Sequence, residues 1–97
     1  MITFTYHKMD DKLLKLRAIL MEEKNWPQVY YFKFIVPNDK EKIESVKSLF
    51  TDPSKITYNT SRDIRFIGIS CKELMPDAES IIAIYERASL VEGLIAL

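Results

Sequence analysis

Ninety-seven residues carrying fourteen basic and fourteen acidic side chains make one domain, and the zero net charge argues against a chain built to neutralise phosphates. The 47% hydrophobic content is ordinary for a soluble globular fold, and only two glycines leave little room for long loops. One cysteine excludes an internal disulfide and fits a reducing compartment, so a cytoplasmic protein of bacterial type is expected.

At the start of the chain Ile2, Phe4 and Tyr6 alternate with Thr3 and Thr5, a short strand-like pattern. Met1 and its neighbours are too few and too polar for a secretory signal, and no apolar run approaches the length of a membrane span. Asp10 or Asp11 can cap a helix reaching about Lys24, striped by Leu13, Leu16 and Leu20. Trp26-Pro27 ends it, because proline biases the preceding residue away from helical backbone.

From Val29 the pattern turns to period two. Tyr30, Phe32, Phe34 and Val36 point one way; Tyr31, Lys33 and Ile35 point the other, until Pro37 closes the strand. Asn38 through Glu41 has the form of a capping box, with Asn38 accepting from the Glu41 amide and the Glu41 carboxylate reaching back. Ile43, Val46, Leu49 and Phe50 recur at helical spacing until Thr51-Asp52-Pro53.

Two strands follow, Ile56–Thr60 and residues 65–74, joined by Ser61-Arg62-Asp63. On the second, Ile67, Ile69 and Cys71 face one side, and Phe66, Gly68, Ser70 and Lys72 the other. Asp77 is a good N-cap for a helix presenting Ile81, Ile82, Tyr85 and Ala88. Gly93 follows, and residues 94–97 complete a last strand.

The order from Val29 is β-α-β-β-α-β, which predicts an α+β, ferredoxin-like two-layer sandwich: a four-stranded antiparallel sheet with two helices on one face. The expected division is an N-terminal extension over residues 1–26, with a short strand-like segment and a helix, and the ferredoxin-like domain over 27–97.

Trp26-Pro27, the run from Tyr31 to Pro37, and Val91-Glu92-Gly93-Leu94-Ile95-Ala96-Leu97 resemble the YbeD-like family of unknown function, in the form found in Bacteroidetes. The resemblance spans about residues 26–97. It implies a domain similar to the ACT amino-acid-sensing domains, with no established activity. Family members carry a glycine in the hairpin where this chain has Ser61-Arg62-Asp63-Ile64, so the turn is expected to be made without it, by Asp63. The segment before Trp26 lies outside what the family explains.

No residue set supports catalysis or a cofactor. His7 has no second histidine or cysteine partner for zinc and reads as a surface residue. Cys71 reads as buried packing, since a nucleophile needs an exposed, electropositive setting and a base. Carboxylates are plentiful but fall on helix faces and caps. Glu73 alone lands on the inward side, expected beyond the edge of the core. The third strand of an RNA-binding module alternates aromatics with a basic residue, whereas here Phe66 stands alone beside Gly68 and Ser70. Nucleic acid is therefore not an expected partner, and neither is a membrane. The glycine that ACT-like sensors place after their first strand is replaced by Pro37-Asn38-Asp39, where acidic side chains compete with an anionic ligand.

Two function classes stay open. One is a non-enzymatic regulatory or adaptor module working through protein contacts; the other is an ACT-like small-molecule sensor. The helices leave one sheet face uncovered, and the expected interaction face there comprises Tyr31, Lys33, Ile35, Phe66, Ser70 and Lys72. A protein partner or a second copy is the expected occupant, unless the N-terminal helix folds back across that face.

Overall fold

The structure is a computed structural model and describes residues 11–97. The strand at Ile2–Tyr6, His7 and the capping alternative Asp10 lie outside the described residues. The elements are α1 (Asp11–Glu22), β1 (Gln28–Pro37), α2 (Lys40–Lys47), β2 (Ile56–Thr60), β3 (Phe66–Met75), α3 (Ala78–Ala88) and β4 (Ile95–Ala96), with a 3₁₀ turn at Pro53–Lys55.

The strands form one sheet in the order β2-β3-β1-β4, and every neighbouring pair is antiparallel. Strands β1 and β2 are therefore parallel with β3 between them, and β3 and β4 are parallel with β1 between them. Each βαβ unit thus straddles one antiparallel strand, which is the split βαβ arrangement of a ferredoxin-like sandwich. In the central ladder Phe32 lies opposite Cys71, Phe34 opposite Ile69, and Val36 opposite Ile67. These side chains carry the core, together with Val46, Leu49 and Phe50 from the α2 side and Ile81, Tyr85 and Ala88 from α3. Phe32 lies 5.6 Å from both the Phe50 and Tyr85 rings, and these tilted contacts add to area burial.

The N-terminal helix does not cross the open face. It packs against α3, with Leu13 at 0% exposure in the core and Leu16, Leu20 and Trp26 against it. Arg17 ties the pair at the surface through a 2.8 Å ion pair with Glu79. The helix that the sequence set before the domain is the third member of its helical layer.

Local signals differ from the sequence reading at three places. The capping box does not form: Asp39 is the N-cap of α2 and accepts from the Lys42 amide at 3.1 Å. Asn38 is drawn instead to the β2–β3 hairpin, its amide donating to the Arg65 carbonyl and its Nδ2 to the Ile64 carbonyl. Helix α2 stops at Lys47, because the Leu49 and Phe50 amides bond three residues back and tighten the turn. The left-handed residue of the hairpin is Ile64, at φ 54, and not Asp63. Asp63 serves by its side chain, accepting from Ser61 Oγ and from the Arg65 amide and guanidinium. The Asp77 cap forms as expected, accepting from the Ser80 amide at 2.8 Å.

Candidate functional site

The outward face of the sheet is built by alternation. From β1 come Val29, Tyr31, Lys33 and Ile35; from β3, Phe66, Gly68, Ser70, Lys72 and Leu74. The register pairs Tyr31 with Lys72, Lys33 with Ser70, and Ile35 with Gly68. All six residues expected to form an interaction face therefore meet on one surface. Tyr31 and Phe66 stand 51% and 39% exposed, and Val29, Leu74 and Ile95 are exposed beside them.

Tyr31 sits between two cationic side chains of this surface. The Lys72 and Lys33 ammonium groups lie 5.6 Å and 6.0 Å from its ring centroid, within cation–π range. No strand position on this face is acidic. The ion pairs among the described residues lie elsewhere: Arg17–Glu79, Lys47–Glu44 and Arg65–Asp63. Lys33 and Lys72 consequently keep their charge for the face itself.

Ser70 departs from its neighbours. It is only 8% exposed although it sits on the open side, across from Lys33 on one flank and Thr57 on the other. It floors a recess of about 470 Å³ walled by Tyr31, Lys55, Thr57 and Lys72. A smaller recess of about 190 Å³ lies further along the same face, between Ile35, Asn59, Phe66 and Gly68. The sequence reading missed Lys55 and Thr57. Alternation within Ile56–Thr60 could have placed Thr57, but Lys55 arrives through the 3₁₀ turn, which only tertiary structure reveals.

The inward face offers no comparable chemistry. Cys71 is buried opposite Phe32, and burial together with the nearby Glu73 charge pushes its thiol above the ordinary range, away from a reactive thiolate. Glu73 is not beyond the edge of the core: it is buried, and one oxygen accepts from both the amide and the hydroxyl of Thr51 at 2.7 Å. That ties the α2–β2 connection to the sheet, a structural role. Among the described residues no group of three metal-ligating side chains comes together, and no helix is long and apolar enough to cross a membrane.

The join between β1 and α2 borders a groove of about 410 Å³ lined by Asp39, Lys42, Ser45, Arg87 and Glu92. Its loop amides are already used, since Asn38 donates to Arg65 and Asp39 to the Pro37 carbonyl.

Comparison with protein-family models, with curated proteins and with solved structures finds no match.

Proposed function

We propose that the chain is a non-enzymatic regulatory or adaptor module that docks a protein partner, or a second copy of itself, on the open face of its sheet. The observation that carries this reading is the set of exposed large apolar side chains, Val29, Tyr31 and Leu74 at one end and Phe66 at the other, on a face no described element covers. A sheet face in ordinary contact with water is expected to be more polar, and contiguous apolar surface marks interaction sites. The YbeD-like resemblance is compatible with such a role, because this fold serves many functions and dictates none.

The test is Tyr31→Ser combined with Phe66→Ser. The double variant should keep its circular dichroism and cooperative unfolding while self-association or partner binding weakens at least about tenfold. Unfolding would mean that the patch is core, and unchanged association would move the contact elsewhere.

A second reading, an ACT-like sensor, draws support from the mixed-charge groove at Asp39, Lys42, Arg87 and Glu92, whose chemistry suits a zwitterion. The spent loop amides weigh against it. A thermal-shift screen of amino acids decides: a ligand at a hundred times its dissociation constant adds about 2.7 kcal/mol of stability.

A further inference from the structure

Three features of the open face remain unexplained by docking in general. Ser70 is only 8% exposed and floors the larger recess; its hydroxyl makes no hydrogen bond among the described residues, and since no buried side-chain oxygen there lacks a partner, that hydroxyl opens into the recess. Among the described residues, Lys72 of the recess wall and its neighbour Lys33 have no carboxylate within ion-pair distance. Asp52 acts electrostatically on Lys55, but its Oδ1 accepts from the Ser54 amide and hydroxyl. Finally, the apolar recess at Phe66 and Gly68 lies two residues along β3 from Ser70.

We propose that the Ser70 recess receives a carboxylate side chain from an extended segment of a partner protein, and that the Phe66 recess receives an apolar side chain of the same segment. This rests on the reading of the open face as a docking surface. The carboxylate accepts from the Ser70 hydroxyl, with Lys55 and Lys72 supplying positive charge and Tyr31 and Thr57 completing the wall. Side chains two apart on an extended chain are separated by about 6.5–7 Å, the spacing of Ser70 and Gly68 on β3. An acidic and an apolar residue at alternate positions therefore reach both recesses from one strand. Lysines here act as point charges, and no arginine on the face offers the bidentate fork that favours phosphate. The balanced total charge likewise provides little to hold a polyanion.

The experiment is a heteronuclear NMR titration of the full chain. The probes are a synthetic peptide with glutamate and leucine at alternate positions, its glutamine counterpart, inorganic phosphate, and a single-stranded oligonucleotide. The glutamate peptide should shift the Thr57, Ser70 and Lys72 amides. The glutamine peptide should bind about tenfold more weakly, as should the glutamate peptide to a chain carrying Lys55→Glu with Lys72→Glu. Equal binding of the two peptides overturns the carboxylate site, and that comparison needs no variant to fold. Phosphate or oligonucleotide occupying Ser70 more tightly than the peptide also overturns it. Association lost in the Tyr31→Ser, Phe66→Ser chain but kept in the lysine-reversal chain would overturn the carboxylate site and leave the docking face standing. Glutamate-dependent shifts at Ser70 in a chain whose association ignores Tyr31 and Phe66 would overturn the docking face and the apolar half of the proposal, leaving the carboxylate site alone.

Discussion

Among the described residues two have left-handed backbone, and they stand on opposite sides of the stability balance. Gly93, at φ 83, is there for two reasons: the conformation favours glycine, and a Cβ would come within 2.8 Å of Pro37 Cγ. Gly93→Ala should therefore cost about 1–3 kcal/mol in denaturant unfolding. Ile64 holds a similar angle as a β-branched residue, and its side chain is exposed, so no packing repays the strain. Its carbonyl, which accepts from Asn38, survives any substitution. Ile64→Gly should then stabilise by up to about 1 kcal/mol, the relief of about 1–2 kcal/mol less the backbone entropy that glycine loses. A loss of stability would show that the Ile64 side chain makes a contact worth more than the strain. Gly93 was legible as a helix-to-strand turn from its position alone. Ile64 was not, because nothing in a β-branched residue announces a left-handed angle that the hydrogen bonds of the surrounding hairpin impose.

At the scale of elements, period identified strands and helices while partners stayed hidden. The switch from alternation to helical spacing fixed β1, β3 and α3 to within a residue or two at their ends, since these carry dense aromatic or aliphatic patterns. Asn38 looked like a cap because the box Asn-Asp-Lys-Glu fits the pattern locally. The β2–β3 hairpin, far along the chain, claimed Asn38 instead, and Asp39 took the cap. The same limit applies to α1: the Leu13, Leu16, Leu20 stripe was readable, but its destination on α3 was not. That destination can be tested by neighbours one residue apart. Leu13→Ala should cost about 2–5 kcal/mol, the range for emptying a packed leucine site, measured by urea unfolding. Leu14→Ala, at an exposed position, should stay within about 0.5 kcal/mol. Equal effects would mean that α1 is an appendage and that residues 27–97 fold without it.

Across the whole molecule, composition concealed an arrangement. Equal numbers of acids and bases read as a neutral chain, yet the strand positions of the open face carry lysines and no acids, while α2 and α3 mix both signs, Glu41, Glu44, Glu79 and Glu86 with Lys40, Lys42, Lys47 and Arg87. Alternation placed the six expected face residues correctly, because side-chain period in a strand is strict. The register that sets Lys72 beside Tyr31, and the burial of Ser70, depend on pairing distant segments and could not be read. The sheet's inner side yields a prediction about the fold as a unit. Tyr85 is buried among Tyr30, Phe32 and Phe34, and burial first, then its 2.9 Å hydrogen bond with the Tyr30 hydroxyl, raises its pKa far above the ordinary tyrosine value. In the unfolded chain that hydroxyl ionises near 10. A folded pKa above the unfolded one means that the contribution is complete below about pH 10 and is lost as pH rises beyond it. Unfolding free energy should accordingly fall with alkaline pH from about 10 upward. Tyr85→Phe should flatten that slope, while costing about 0.5–1.5 kcal/mol at neutral pH for the lost hydrogen bond. Parallel alkaline profiles for the two chains would show that Tyr85 ionises in the folded state as readily as in water, and that the aromatic core around it admits solvent.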